Sequence, residues 1–501
     1  MSSTAPAPAT GIAGSGFART LPADIHAIFE AQRHASRQHL DVPLLVRRER
    51  LLRLGKLLDE HGATLAAAVQ TDFGIRSPRV TELADLLPLR QQLAHALRHL
   101  PRWMKPRKVR TPLALQAAQA WVQPQPLGVV GVIAPWNYPV QLALAPVITA
   151  LAAGNRVILK PSELAPHTSA QLAHWVARFF APDEFCVVQG DSATAALLAS
   201  LPLDHLVFTG STTVGRKVAQ AAAANLTPTT LELGGKSPCL IDADADLADA
   251  ALKIAHGKLL NAGQTCIAPD YVLLPRGQEA AFAQAYQAAV LRLYPSFTGN
   301  PDYTAIITPR HLARLRNLLQ QAQQLGAQVL AIEGAATNTP EPSLQNRLGD
   351  GSARQMPPTL VMGVTSDMQL MQEEIFGPIL PVVAYDRLDD AITHINHGPR
   401  PLAMYWFGHG AAARDKVLYS TLSGGITIND TLLHAAHSGL PFGGVGDSGS
   451  GTCRGQSGFD RLSHQRAVLV QSRWSAVPWL YPPYGARFDR LLGWLQRWHA
   501  R

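Results

Sequence analysis

Gly128–Pro135 reads GVVGVIAP, an apolar run closed by a proline, and the chain repeats the device with RVILKP at Arg156–Pro161, FCVVQG at Phe185–Gly190 and HLVFTGS at His205–Ser211. Short apolar runs bounded by glycine or proline are the sequence form of strands buried on both faces. Val140–Ala153, Ser169–Phe180, Ser192–Ser200 and Thr213–Ala224, which lie between or after them, read as helices. Strands separated by helices of this length pair in parallel through right-handed crossovers. The reading is an α/β fold with a doubly wound sheet, whose strand ends are the usual place for a nucleotide.

On the N-terminal side, apolar residues from Ile25 to Leu100 recur at three- and four-residue spacing, as at Leu51, Leu54, Leu57 and Leu58, and predict helices that cover another layer. On the C-terminal side, TTLELGGK at Thr229–Lys236 ends the first series. A second begins with CLIDADADLADAALKIAHGKLL at Cys239–Leu260 and runs through YVLLP at Tyr271–Pro275, a helical stretch Gln278–Leu293 and PILPVVAY at Pro378–Tyr385, which predicts a second α/β domain. Ile332–Pro358, rich in Gly, Asn, Pro and Thr, reads as a surface loop, while Pro112–Gln125 and Cys453–Ser472 are compatible with strands. The expected division is a flexible tail at 1–20, a nucleotide-binding domain at 21–111 and 127–231, a second domain at 232–446, a small strand element at 112–126 and 447–472, and a C-terminal tail at 473–501.

A chain of 501 residues, 47% hydrophobic and 16% charged, can fill two or three cores and is not disordered in the main. Forty-four Lys and Arg against 36 Asp and Glu leave a charge of +8, a field that favours anions such as phosphates without choosing among them. The densest basic run, Arg102, Lys105, Arg107, Lys108 and Arg110, reads as a solvated connector, since no nucleic-acid module accompanies it. Four separated cysteines, Cys186, Cys239, Cys266 and Cys453, make neither a CxxC nor a zinc spacing and suit a reducing cytoplasm. Leu127–Leu159 carries only Arg156 as a charge, but Pro135, Pro139 and Pro146 break it, so strand, turn and buried helix is the reading and not a membrane span. Met1–Thr20 lacks the basic start and apolar core of a secretory signal. Arg487–Arg501, with Leu491, Leu492, Trp494 and Leu495 among arginines, reads as an amphipathic helix docked on its own protein, with peripheral membrane contact the alternative.

Several places carry residues suited to chemistry. Cys266 sits in NAGQTCIAPDY at Asn261–Tyr271, flanked by Gly, Gln and Thr. A thiolate is a strong nucleophile, but a free thiol with a pKa of about 8.5 is mostly protonated at neutral pH, and a lone cysteine is equally a small buried hydrophobe. Glu232 ends the strand in LELGGK, as a general base for water or as half of a strand-end ion pair. Asn137 in PWNYP follows a buried strand, where its amide can steady an oxyanion or support a turn. VFTGSTTVG gives strand, Gly210, Ser211, Gly215 and helix, a turn that offers unpaired N–H groups to a pyrophosphate without the GxGxxG spacing. LKPSE adds Lys160 and Glu163 at another strand end. A carboxylate there suits ribose hydroxyls and a lysine suits a 2′-phosphate, so NAD and NADP both stay open, with NAD favoured. His434 and His437 form an HxxH without a third ligand and read as loop histidines, with no metal.

In order along the chain, PWNYP, AAGNRVILKPSE, FTGSTTVG, LELGGKSP, NAGQTCIAPDYVL, EEIFGP, NDTLLH and LPFGGVG resemble the aldehyde dehydrogenase superfamily, and more closely its class 3 branch, which includes bacterial coniferyl aldehyde dehydrogenases. The resemblance runs from about Ile25 to about Val470. It implies an aldehyde dehydrogenase-like fold with a cofactor domain, a catalytic domain and an oligomerisation element made of the two strand-like stretches, and hence a homodimer. It also implies NAD(P)-dependent oxidation of an aldehyde to the acid through a cysteine thiohemiacetal and thioester. Cys266 would be the nucleophile, Glu232 the base for deacylation, and Asn137 with the Cys266 backbone N–H the oxyanion hole. Lys160 and Glu163 would meet the adenosine ribose, Gly210, Ser211 and Gly215 would bound the pyrophosphate turn, and Glu374 would hold the nicotinamide ribose with Phe376 nearby. Trp136 and Tyr138 beside Asn137 suit a planar, coniferaldehyde-like substrate, with a medium-chain aliphatic aldehyde as the alternative. A CoA-acylating enzyme and a non-catalytic member of the same fold are weaker readings, because Glu232 is retained and every named position is occupied. Where relatives tend to carry Tyr-His-Gly after LPFGGVG, this chain has Cys453, Arg454 and Gly455, and His437 departs too, which bears on the substrate more than on the reaction.

Overall fold

The computed structural model describes residues 19–112, 115–334, 351–475 and 477–499. The N-terminal tail up to residue 18 and most of the loop expected at Ile332–Pro358 lie outside the described residues. Val129–Ile133, the strand inside GVVGVIAP, is buried along its whole length at the centre of a six-stranded sheet. It pairs in parallel with Arg156–Lys160 on one side and His205–Thr209 on the other. Phe185–Val187 extends the first side and Thr229–Glu232 the second, and Gly449–Ser450 closes that edge antiparallel, opposite Glu232 and Leu231. The winding direction reverses beside the first strand, so the crevice of the sheet opens between the turns that follow Val129–Ile133 and His205–Thr209.

Gln141–Ala152 is an apolar helix buried on all sides, because it lies between that sheet and the helices Leu44–Phe73 and Leu87–Trp103. Leu51, Leu54, Leu57 and Leu58 on the first of these are fully buried, each contributing about 1.5–3 kcal/mol relative to exposure. The second sheet has seven strands in the spatial order Gln328–Ala331, Thr359–Met362, Ile379–Tyr385, Tyr271–Pro275, Pro238–Ile241, Ala403–Phe407 and Gly425–Ile428, parallel except for the first pair. Helices Leu247–Leu259 and Glu279–Leu293 pack on each other over its core.

Arg107–Val109, Gln119–Pro126 and Ser463–Val470 form a third, antiparallel sheet. Three expectations change here. The basic run is no plain connector: Arg102 lies in the helix Leu87–Trp103, and Arg107–Val109 is an edge strand whose Arg107 donates to Gln465 Oε1 at 2.8 Å, charge being what a solvated edge tolerates. Cys453–Ser472 is not strand throughout, because Gly455–Arg461 is a helix that buries Gly455, Gly458 and Phe459, at three- and one-residue steps, before pairing begins at Ser463. The C-terminal helix Ala486–His499 lies against the turn Val477–Leu480, where Trp479, Leu491 and Trp494 line a hollow within the tail itself, and none of its described side chains is buried. Among the described residues no helix is long and apolar enough to cross a membrane.

Candidate active site

Loops from the two parallel sheets line one cavity of ≈ 520 Å³. Asn137, Gly210, Ser211, Glu232, Cys266, Glu374 and Phe376 are among its lining residues; Lys160, Glu163 and Gly215 are not. Lys160 and Glu163 pair with each other at 2.5 Å, and the Lys160 carbonyl accepts from the Ala134 N–H next to the cavity loop. Gly215 lies one turn into the helix Thr212–Ala223, where a Cβ would collide with Leu233, so it sets the closeness of helix and strand and does not bound the turn itself.

Cys266 follows a tight turn in which Asn261, Ala262 and Gly263 all take left-handed backbone angles, φ 54, 53 and 75°. Such conformations cost non-glycine residues about 1–2 kcal/mol each and persist where neighbours hold them. Here the neighbours are polar and buried. Gln264 donates to the carbonyls of Asn261 and Ala305, at 3.0 and 3.1 Å, and accepts from the Ile307 N–H at 2.9 Å. Asn261 Nδ2 donates to the Asn137 carbonyl at 3.0 Å, and Asn137 Nδ2 donates to the Gln264 carbonyl at 3.1 Å. The cysteine turn and the PWNYP loop are thus tied across two sheets, and Asn137 keeps a second amide N–H. Tyr138 does not line the cavity: it is buried, with its hydroxyl 2.7 Å from Thr265 Oγ1, whereas Trp136 faces the cavity edge-on to Phe376 and His311, at 5.5 and 5.1 Å between ring centres.

Cys266 is half-buried, and enclosure, reinforced by the negative charges of Glu374 and Glu232, pushes its thiol up to about 12. Glu232 ends its strand at 2% exposure, and burial raises its carboxyl, opposed by the charge of Arg454 and by hydrogen bonds from Cys453 and Thr209. Glu374 is raised by burial, then by Asp270, to about 8, and its carboxyl rests on the Gly234–Gly235 backbone, where a Cβ on Gly234 would collide with it. Ser211 caps the helix Thr212–Ala223 by accepting from the Val214 N–H at 3.4 Å, and the first turn of that helix, with N–H groups that have no intrahelical acceptor, borders the cavity.

Sequence reading misses several supports. The fully buried Arg76 donates to the Asn137 carbonyl at 2.6 Å and pairs with Asp85 at 2.5 Å, and Asp85 accepts the Val140 and Gln141 N–H groups. Lys236 pairs with Asp270 at 2.5 Å, Asp270 accepts the Ile375 N–H, and Arg314 donates to the Glu374 and Ile375 carbonyls, which fixes the EEIFGP turn. Lys236 belongs to LELGGKSP, but its partner lies 34 residues away. Cys453, seen only as a departure from the family pattern, donates from Sγ to Glu232 Oε1 at 2.6 Å. His434 sits in the short helix Leu433–Ala436 and not in a loop, with Nδ1 2.8 Å from Thr427 Oγ1, and His437 Nδ1 accepts from the Gly439 N–H.

A thiol, a carboxyl group and a spare amide donor in one cavity, beside a helix N-terminus, can attack a carbonyl, steady the oxyanion and hydrolyse the acyl product. The profile of the Aldehyde dehydrogenase family matches residues 2–468. The chain is 44% identical over 471 residues to the probable coniferyl aldehyde dehydrogenase of Pseudomonas aeruginosa, covering 93% of this chain and 95% of that protein. It is 45% identical over 429 residues to the coniferyl aldehyde dehydrogenase of Pseudomonas sp. strain HR199, covering 86% and 87%. Among solved structures, the substrate-bound AldH of Staphylococcus aureus superposes with a TM-score of 0.84 at 35% identity, covering 94% of this chain and 99% of that one. The chain belongs to the aldehyde dehydrogenase family.

Proposed function

We propose that this enzyme oxidises an aromatic aldehyde of the coniferaldehyde type to its carboxylic acid, with NAD as hydride acceptor, through a thioester on Cys266. The observation that carries the reaction is the convergence of Cys266, Glu232 and Asn137 on one cavity. The Cys266 sulfur adds to the aldehyde carbon as its proton passes to Glu232, one of the carboxyl groups that line the cavity with it. The second Asn137 amide N–H and the Cys266 backbone N–H are the donors for the oxyanion. Glu232 then releases that proton to solvent and takes another from water as the water oxygen bonds to the acyl carbon; the acid leaves as the C–S bond breaks, and the second proton returns to the Cys266 thiolate.

The residues present suit a dinucleotide. The N-terminus of Thr212–Ala223 offers free N–H groups to a pyrophosphate, Gly210 leaves the backbone approachable, and Glu374 would hold the ribose next to Phe376. When bound, the nicotinamide supplies the acceptor for the hydride whose loss turns the Cys266 adduct into a thioester. Glu163 neutralises Lys160 at the strand end, and such a pair suits ribose hydroxyls better than a 2′-phosphate, which is the ground for NAD over NADP. Trp136, Phe376 and His311 give the cavity an aromatic wall, and the names of two relatives point the same way.

We assign cofactor binding to the six-stranded sheet and its helices, catalysis to the seven-stranded sheet and pairing of two copies to the three-stranded one, in a cytoplasmic enzyme whose described cysteines are free. Side-by-side kcat/KM values for coniferaldehyde, benzaldehyde and hexanal, each with NAD and NADP, test the substrate and cofactor; a wide margin for hexanal removes the aromatic preference. Intact-mass detection of an acyl adduct tests the mechanism, and a Cys266→Ser protein as active as the parent removes it.

A further inference from the structure

We infer that Cys453 is a positioning residue for Glu232: its thiol hydrogen bond holds the carboxyl group on the cavity wall and sets how readily that group accepts the proton of water in deacylation. The inference rests on the reading of Glu232 as the deacylation base and extends it to a residue outside the cavity.

The contact is built from several sides. Cys453 follows Gly449–Ser450, the short strand that pairs antiparallel with the end of Thr229–Glu232, so sheet register brings the two residues together. The Cys453 N–H donates to the Phe442 carbonyl, and its own carbonyl accepts from Thr149 Oγ1 at 2.7 Å. Gly458 packs so closely on the Cys453 backbone that a Cβ there would collide with it. With the backbone pinned in this way, the sulfur stands 2.6 Å from Glu232 Oε1 and has the carboxyl as its acceptor.

Cys453 itself is 1% exposed and is not among the residues lining the cavity, so it is no rival to Cys266 as nucleophile. Burial and the nearby Glu232 push its thiol well above the ordinary range, which favours the proton staying on sulfur as a donor to Glu232. A donor aimed at a carboxylate favours the ionised form of that carboxylate. The other groups acting on Glu232 are the Arg454 guanidinium, held 4.3 Å over the Phe442 ring with Nη1 on the Ala435 carbonyl, Thr209 on the neighbouring strand, and Cys266 across the cavity. Arg454 and Thr209 favour the charged carboxylate, burial opposes it, and the thiol adds to the first side. In deacylation the ionised Glu232 takes one proton from water, the water oxygen bonds to the acyl carbon, and the Cys266 sulfur leaves as thiolate. Cys453 keeps its own proton throughout.

The test follows acyl-enzyme decay against pH in single turnovers, for the parent and for Cys453→Ala, Cys453→Val and Cys453→Ser. Loss of the donor in the alanine and valine proteins should move the rising limb of the decay rate to higher pH by about one unit, the size expected for one hydrogen bond to a charged group. Serine, which restores a donor, should move it most of the way back. The valine protein keeps the site filled if alanine folds poorly. An unchanged limb in the donor-free proteins, or an equal loss of rate at every pH, overturns the inference. Acyl-enzyme that still accumulates in those proteins leaves the Cys266 and Glu232 mechanism standing, whereas acyl-enzyme that forms in none of them, parent included, removes that mechanism first.

Discussion

Asn137 commits one amide N–H to the Gln264 carbonyl and keeps the other, while its carbonyl is held by Arg76 and Asn261. An oxyanion donor fixed from both ends does not need to reorganise during the reaction, which is where such donors have their effect. Asn137→Ala should lower kcat by about 10²–10³-fold; a change under tenfold in the single-turnover rate of reduced-cofactor formation would take Asn137 out of the oxyanion hole. Glu232→Gln should leave the first burst of reduced cofactor and slow the turnovers that follow, and rapid-mixing absorbance that shows no burst contradicts the role. Glu374 carries a pH signature of its own. Its folded-state value of about 8 lies above the free value of 4.5, so the folded protein keeps a proton that the unfolded chain has already released between those values. The stability this contributes is full below pH 4.5 and is lost as pH rises towards 8. Glu374→Gln cannot lose that proton, so the cofactor-free variant should melt with the parent near pH 5 and a few degrees above it near pH 8.5 by calorimetry. An equal difference at both pH values would contradict the burial of this carboxyl.

The PWNYP loop is placed by an ion pair that belongs to other elements. Arg76, at 0% exposure, joins the Asn137 carbonyl to Asp85, and Asp85 in turn takes the N–H groups that open the helix Gln141–Ala152. Removing one member leaves a buried charge without its partner, at a cost of about 3–5 kcal/mol, whereas replacing both with apolar residues costs less. Arg76→Leu should therefore lower both the Tm and kcat. The double variant Arg76→Leu/Asp85→Leu should recover Tm but not kcat, since the Asn137 carbonyl still lacks its donor; recovery of both would mean that the pair serves stability alone. This case also marks how far the sequence could be read. The parallel strands were legible because strands buried on both faces leave unbroken apolar runs, and Cys266, Glu232 and Asn137 were legible because each sits at the end of such a run or in a turn beside one. Arg76, Asp270 and Cys453 were not, because their partners lie on other elements: Cys453 and Glu232 are 221 positions apart, and no local pattern records a contact made by sheet register. The left-handed turn before Cys266 was hidden for a similar reason, since Asn261 is held by a hydrogen bond to the distant PWNYP loop and only Gly263 announces the turn.

At the scale of the molecule, the three-stranded sheet leaves apolar side chains exposed on both of its edge strands. Ser463–Val470 is eight residues long, carries one free edge and leaves Leu469 and Val470 each 50% exposed, while Val109 on the opposite edge strand is 51% exposed. Natural sheets blunt long edges with charge or proline, or cover them, because an open ladder pairs with any strand that meets it. Among the described residues neither charge nor proline stands at the apolar end of this strand, so covering by a second copy is the consistent arrangement for the proposed homodimer. A two-fold pairing would bury the same strand on both partners, and it would extend the sheet without touching the cavity, whose lining residues all lie elsewhere. Light scattering should then give the mass of two chains for the parent. Leu469→Lys/Val470→Lys places like charges opposite each other across such a pairing and should give the mass of one chain, with cofactor binding measured by fluorescence within about threefold of the parent. A parent that runs as one chain at micromolar concentration, or a variant that stays paired, would move the contact away from this edge.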